Sequence, residues 1–589
     1  MRRVAWAVLA TAMMGAAAGC TADAGAPGGS GGSSGGTASG GTAPGTGGGA
    51  GPGSGGSGSG GSSAGSGGDS GSGGSSVITL SCNAPANGSP VLRLLTRSEL
   101  QNTLGDVFPE VKSQWSASLP AGNVTDLGFD NDQGATVGSQ LAGSVLDTAQ
   151  SVATAVTGSA LANLLPCSTS AADRTCAETF LKKYGPRLFR RAITNDEHDK
   201  YLSFFDGAKG KSDFKTALKW MTVALIQSPN TLYRSEIGAD MGNGTRKLTA
   251  YEQATELAYM YTGTAPSESL LSMAASGNLG DPVAMAKSLL QTDAGKQVLQ
   301  RFFEQYLDYA SVTSVSKANV QSFSQLSGDM VKETHAFIDD VILQKGGGLK
   351  ELLTATTTNP SKALASFYAT GNAYSGGFPM PSSDYASVQR PKGLGIGVLA
   401  QGAFLANHAS SVASSPTRRG MFPYRRLFCQ PKLSPPPNVP ALDTTSQMAN
   451  VHTTRDRYEL QHQLLQGANG PCASCHKLFD PIGFAFEHFD EVGRYRAKEG
   501  TYDINSAASL AGPSGTISFT DQESLMNALV EQPVIHECMA AYLATYGFGS
   551  SDACIGSSQV SDLQAGKIGV VEAFARLAKE PHFSQRDAN

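Results

Sequence analysis

Cys472-Ala473-Ser474-Cys475-His476 is the stretch from which the rest of this sequence is best read. Two thiols separated by two residues lie one short turn apart, close enough to add to the two vinyl groups of one haem. The imidazole that follows at once is placed to ligate the iron, so Cys-x-x-Cys-His is the attachment pattern of a c-type haem. In a chain of 589 residues with nine Cys and nine His, chance would produce this pentapeptide only about 0.002 times. Other readings of the same residues are a Cys472–Cys475 redox pair, half of a zinc site, or coincidence. A zinc site needs further ligands, and no second Cys-x-x-Cys or His-x3-His stands nearby.

Beyond the motif, Phe479, Phe484, Phe486 and Phe489 are candidates to wall a haem edge in apolar material, which would raise its reduction potential, or else are plain core. Pro481 follows the site as a proline does in small cytochromes c, where a backbone carbonyl takes the proximal imidazole N–H. Arg494 and Arg496 are candidates for haem propionates; the competing reading pairs them with Glu487, Asp490 or Glu491. Asp480, Glu487 and Asp490 read as capping or ion-pairing carboxylates rather than acid–base groups. For the sixth iron ligand the expectation is His462, on a helix predicted over Thr454–Leu465, with His488, Met448, Met526 and Met539 as competitors. A vacant sixth position would allow peroxide or oxygen chemistry. Ser434-Pro435-Pro436-Pro437-Asn438-Val439-Pro440 reads as a stiff, extended spacer leading into this segment.

The opposite end of the chain agrees with haem attachment outside the cytoplasm. Arg2 and Arg3 precede an apolar run, Val4 to Ala18, too short to span a bilayer and patterned as a signal peptide. It ends Ala17-Ala18-Gly19-Cys20, which resembles a lipobox and predicts a lipidated Cys20; cleavage after Ala24 would instead give an unanchored protein. Thr21 fits outer-membrane sorting in two-membrane bacteria. Residues 25–76 are Gly/Ser-rich with Asp69 as the sole charge, a disordered tether with a root-mean-square reach of about 40 Å.

From Val77 onward the composition is globular and too long for one core. The net charge of −5 has no basic cluster for nucleic acid. Six further cysteines suggest disulfides in an exported chain. The local choices are Cys167–Cys176 and Cys538–Cys554, with Cys82–Cys429 then stapling the ends of the body. The fold class expected is mainly α: a multi-module helical body containing a cytochrome-c-like haem module. Capping boxes are predicted at Thr96–Glu99, Thr194–Glu197, Thr249–Glu252 and Thr520–Glu523. Helical stripes run through Phe214, Ala217, Leu218, Met221, Ala224 and Leu225, and through Met330, Thr334, Phe337, Ile338, Val341 and Ile342. His335 rides in the second as a structural or surface residue. Thr516–Phe519 is at best a short strand. Gly207–Ser212 and Gly393-x-Gly395-x-Gly397 fail as nucleotide loops, lacking a required glycine each. The segments expected are 1–19 signal peptide, 20–76 lipidated cysteine and tether, 77–240 N-terminal helical modules, 241–370 a middle module, 371–500 the haem-c module and 501–589 a C-terminal module.

The run Asp480-Pro481, Gly483-Phe484, Glu487, Phe489-Asp490 and Gly493, with His462 upstream, resembles the haem-c module of large exported myxobacterial and planctomycete proteins catalogued as consecutive domains of unknown function. Arg390–His408, Ser415-Pro416-Thr417-Arg418-Arg419-Gly420 and Cys429–Pro440 resemble the first part of that module. Leu94–Asp106, Phe189–Thr194 with Gln227–Arg234, Lys247–Leu271 and Cys538–Cys554 resemble its companion modules. Departures are Ala192, Tyr261 and Ser550, where that family more often has Pro, Trp and Arg. The resemblance implies haem c outside the cytoplasm and a redox partner, such as a neighbouring exported protein, but supplies no substrate. The function expected is electron transfer by an envelope-tethered mono-haem lipoprotein, outer-membrane-bound or else periplasmic or secreted. The alternatives are a haem peroxidase or oxidase, and a non-haem binding or scaffold protein.

Overall fold

The structure, a computed structural model, describes residues 81–588 except 83–85, 123, 126, 371–376, 434–450, 467–470 and 513–514; at 81, 461–466 and 471–474 it describes the backbone only. The signal peptide, Cys20, the tether, the spacer 434–440, Met448 and the side chains of His462 and Cys472 thus lie outside the described residues.

Helices carry most of the described chain, and many of them begin where a side chain caps the first turn. β1 (Ser81–Cys82) and β2 (Val91–Leu94) lead to α1 (Arg97–Val107). Thr96 accepts from the Glu99 N–H at 3.1 Å while the Glu99 carboxylate accepts from the Thr96 N–H at 2.7 Å, a reciprocal cap that fixes the first turn. α2 (Ser139–Val156), α3 (Arg174–Phe189), α4 (Asn195–Lys209, boxed by Thr194 and Glu197) and α5 (Phe214–Gln227) follow. α5 packs on α2 and α4 and buries Phe214, Ala217, Leu218, Met221 and Leu225. β3 (Tyr233–Glu236) pairs antiparallel with β2 and closes this block around one hydrophobic core running from Leu94 to Leu232, which Tyr259 also joins.

A second, larger core takes Phe129 from the N-terminal block and then runs from Ala254 to Phe583, uniting the segments expected as middle, haem-c and C-terminal modules. It starts after β4 (Thr245–Lys247) with α6 (Ala250–Thr262), boxed by Thr249 and Glu252. α7 (Asp293–Leu307) and α8 (Phe323–Ile338) follow, His335 of α8 meeting Glu304 of α7 at 2.7 Å. Gly393, Gly395 and Gly397 all take positive φ, and a Cβ at Gly397 would lie 2.0 Å from the Leu353 carbonyl oxygen. This loop serves close backbone packing. Then come α9 (Pro416–Arg426), α10 (Thr454–Gln466), α11 (Pro471–Phe484), the hairpin β5 (Ala508–Gly512) and β6 (Gly515–Phe519), and α12 (Pro533–Phe548). The last expected box is displaced by one residue. Asp521, not Thr520, caps the helix Gln522–Leu529 by accepting from Ser524 N–H at 2.8 Å, and Glu523 instead accepts from Gly393 N–H at 2.7 Å.

The body's ends are tied together. β1 pairs in parallel with β7 (Ile555–Gly556), and β8 (Gln585–Asp587) pairs with β4. Cys167 is bonded to Cys176, but the other two bridges are Cys82–Cys554 and Cys429–Cys538, not the expected Cys538–Cys554 and Cys82–Cys429. The reason is the helix between them. Cys538 lies inside α12, and the remaining turns carry the chain some ~15 Å along the axis before Cys554, beyond the span of a disulfide. Among the described residues no helix is long and apolar enough to cross a membrane.

Candidate functional site

The Cys-x-x-Cys-His motif occupies the first turns of α11, and α9 packs along that helix. Ser415 caps α9 and Pro416 stands at its first position, where a missing N–H costs nothing. The two helices touch backbone to backbone. A Cβ on Gly420 would fall 1.8 Å from the Phe479 carbonyl oxygen, and one on Gly483 would fall 1.9 Å from that of Pro416. No other residue fits either position without prising the helices apart.

That contact brings Thr417 of α9 to the inner face of α11. Its hydroxyl donates to Asp480 Oδ1 at 2.8 Å, and Asp480 Oδ2 lies 2.9 Å from His476 Nδ1. Thr417 Oγ1 is itself 3.4 Å from the same ring nitrogen. His476 and Asp480 are four residues apart, so one helical turn stacks them. The Asp480 side chain is 4% exposed and that of His476 26%. The ring therefore turns Nδ1 inward to a buried carboxylate and Nε2 to the opposite side. The expected backbone acceptor associated with Pro481 is replaced by the side chain of the residue just before it.

Cys475 lies outside every disulfide among the described residues. Tyr424 of α9 stands close to it: burial, and then the neighbouring Cys475, raise its phenol. Phe479 touches both the Tyr424 and His476 rings. The four phenylalanines divide between two faces. Phe486 and Phe489 belong to the large core, whereas Phe479 and Phe484 are buried outside it, Phe484 beneath the Arg455 guanidinium.

Arg494 and Arg496 are engaged by carboxylates. Arg494 Nε donates to Asp490 at 2.8 Å. Arg496 reaches Glu487 at 3.2 Å and Glu499 at 3.8 Å. These pairs occupy the guanidiniums that were candidates for propionates. Burial pushes the Glu487 carboxyl up, against the pull of Arg496 and Arg419. His488 turns its Nδ1 to the Arg496 carbonyl at 3.0 Å and stacks on Tyr495, while Met526 and Met539 are sealed in the core. His462 has its backbone in α10.

Two contributors stand in the sequence only within the Ser415–Gly420 resemblance, with no role assigned there. Thr417 is one. The other is Arg419, fully buried, whose guanidinium donates to the carbonyls of Leu405, Phe486, Phe489 and Asp490. It satisfies the carbonyls just past the end of α11 and ties that end to the short helix Gly402–Asn407. Burial, opposed by Glu487, lowers its pKa to about 10. The Ser-Pro start of α9 signals a helix, but nothing local shows which carbonyls a later arginine will find.

No group of three or more His, Cys, Asp and Glu side chains gathered as for a metal ion occurs among the described residues. A covalently attached haem does not ask for one: it needs two thiols and an imidazole. A thiol at Cys475 beside an imidazole oriented through Nδ1 fits the second half of that requirement.

Four family models match the chain in succession. Residues 93–158 match PSD3, a protein of unknown function (DUF1587), and 176–236 match PSD5 (DUF1595). Residues 248–369 match PSD4 (DUF1592), and 396–499, which hold α9 to α11, match PSCyt3 (DUF1588). No curated protein and no solved structure matches. Over four consecutive segments, then, the chain is similar to multi-module proteins whose function is unknown.

Proposed function

We propose that this chain is a mono-haem c-type protein that transfers electrons in the cell envelope, tethered there through lipid on Cys20. The observation that carries the reading is the setting of His476. It follows Cys475 directly, its ring is oriented by the Asp480–Thr417 pair, and its Nε2 points away from that pair. The segment containing it matches a family model whose name, PSCyt3, points towards a cytochrome. Cys472, Cys475 and His476 would hold the haem; the group supplies a reversible one-electron couple when bound. The protein's part is to fix the ligand ring, exclude water from one side with Phe479 and Tyr424, and keep the redox site at the end of a long tether within reach of a protein partner.

The test is export in a host with haem-c maturation, followed by haem staining after denaturing electrophoresis and a pyridine haemochrome spectrum. Wild type should stain and Cys472→Ala/Cys475→Ala should not; a properly exported wild type without covalent haem rejects the reading. His462→Ala should convert a six-coordinate low-spin ferric spectrum to high spin. A wild type already high-spin and quick to react with peroxide would move the assignment to an oxidoreductase with an open iron position. Labelled fatty acid should follow the protein and be lost in Cys20→Ser.

A further inference from the structure

Resting on that reading, we infer that Asp480 is a positioning residue that sets the reduction potential through His476, with Thr417 holding the carboxylate in place. When Nε2 serves the iron, the ring proton must reside on Nδ1, and Nδ1 then donates to Asp480 Oδ2 at 2.9 Å. The acceptor is a carboxylate, not a neutral carbonyl. A hydrogen bond to an ionised acceptor is roughly twice as strong as a neutral one, and it raises the basicity of a ligating imidazole. A more basic Nε2 favours the more positively charged iron, so this contact favours the ferric side of the one-electron couple and lowers the potential.

The geometry is built for the purpose. The carboxylate is buried in the α9–α11 contact, where little water screens it. Thr417 donates its single proton to Oδ1 at 2.8 Å, while Oδ2 faces the ring at 2.9 Å. The backbone contact at Gly420 and Gly483 holds Thr417 in register with Asp480. The effect runs opposite to that of an apolar phenylalanine wall, which would raise the potential. Only Phe479 among the four phenylalanines touches the ligand ring.

The experiment uses full-length matured protein carrying Asp480→Asn, which keeps the size and an acceptor oxygen but removes the charge, with Thr417→Val as second variant. Each is checked for covalent haem by staining and pyridine haemochrome, then titrated potentiometrically. The ferrous iron–histidine stretch is read by resonance Raman, in the His462→Ala background if iron is six-coordinate. Asp480→Asn should retain haem, shift the ferric/ferrous equilibrium at least tenfold towards ferrous, about 59 mV for one electron, and lower the stretching frequency. Thr417→Val should shift both in the same direction by less, and Asp480→Glu should restore part of the wild-type values. Haem-loaded Asp480→Asn with an unchanged potential and stretch overturns the inference and leaves the haem assignment standing. Wild type without covalent haem overturns the haem assignment itself. If Asp480→Asn fails to mature, an unshifted Thr417→Val overturns the inference.

Discussion

Asp480 and Glu236 are both buried carboxylates, but they are surrounded in opposite ways. Asp480 meets a hydroxyl and an imidazole, at a contact of two helices that are near each other in sequence. Glu236 meets three guanidiniums brought from both ends of the body. Arg586 of β8 donates to it at 2.9 Å, Arg234 of β3 stands at 3.3 Å and Arg93 of β2 at 3.8 Å, and Glu256 of α6 faces Arg234 at 3.5 Å. In this second cluster the charges answer one another, which is the signature of a structural lock joining the two cores and the C-terminal strand. At Asp480 the carboxylate orients a ring whose other nitrogen faces away. Burial alone does not separate the two carboxylates; what distinguishes them is the kind of partner, guanidiniums that neutralise Glu236 and a hydroxyl and a ring that Asp480 orients.

The sharpest way to break the comparison is to remove the lock. Glu236→Ala would leave Arg93, Arg234 and Arg586 buried without their shared anion. Loss of one partner of a buried ion pair costs about 3–5 kcal/mol, so the denaturant midpoint should fall far below that of wild type while matured protein that still folds keeps its haem spectrum. A spectrum that changes with Glu236, or a midpoint that does not move, would mean that the two carboxylates are not separate in role.

These two sites were unequally legible in the sequence. Cys472, Cys475 and His476 stand out because haem attachment would require that spacing. The boxes at Thr96, Thr194 and Thr249 and the stripes of α5 and α8 are local patterns with local causes. Thr520 was off by one because Asp521, a stronger acceptor, takes the Ser524 N–H and starts the helix one residue later. The Glu236 cluster had no sequence signal at all: its members sit on β2, β3, α6 and β8, and only tertiary pairing brings them together. Cys167–Cys176 was read correctly, but Cys538–Cys554 and with it Cys82–Cys429 failed for the same reason, since nearness along the chain misleads when a helix intervenes. Asp480 was visible as a residue, but its partner Thr417 was not, because the contact depends on two glycines whose closeness appears only when the helices are packed.

A smaller effect separates the two sites by their packing. Gly420→Ala places a methyl group on the Phe479 carbonyl. Overpacking of this kind costs about 1–3 kcal/mol, and here it should also move Thr417 away from Asp480. The expected result is a lowered unfolding midpoint together with faster limited proteolysis between residues 416 and 484, with the β2–β3 region unaffected. Uniform protection across the chain would show that the helix contact tolerates the spread and does not position the pair.

The smallest effect tests the lock by pH. Burial would raise Glu236, but Arg234, Arg93 and Arg586 together bring it down to about 2. Burial raises Glu256, Arg234 pulls it back and Glu236 raises it again, leaving it at about 7. A carboxyl whose folded pKa is raised binds a proton more tightly folded than unfolded. Its contribution is therefore complete below the ordinary carboxylate range and is lost as pH rises through about 7. Glu236 works the other way, and its contribution is lost only as pH falls towards about 2. Between pH 5 and 8 the cluster should thus weaken with rising pH. Burial lowers the nearby His582 to about 4, so its contribution rises with pH up to the ordinary histidine value and opposes the trend in raw melting curves. The difference between Glu256→Gln and wild type isolates the carboxyl. The variant's Tm should match wild type near pH 5 and exceed it near pH 8. Parallel Tm–pH curves for the two proteins would mean that Glu256 is ionised throughout, and that the cluster holds its second negative charge without a proton.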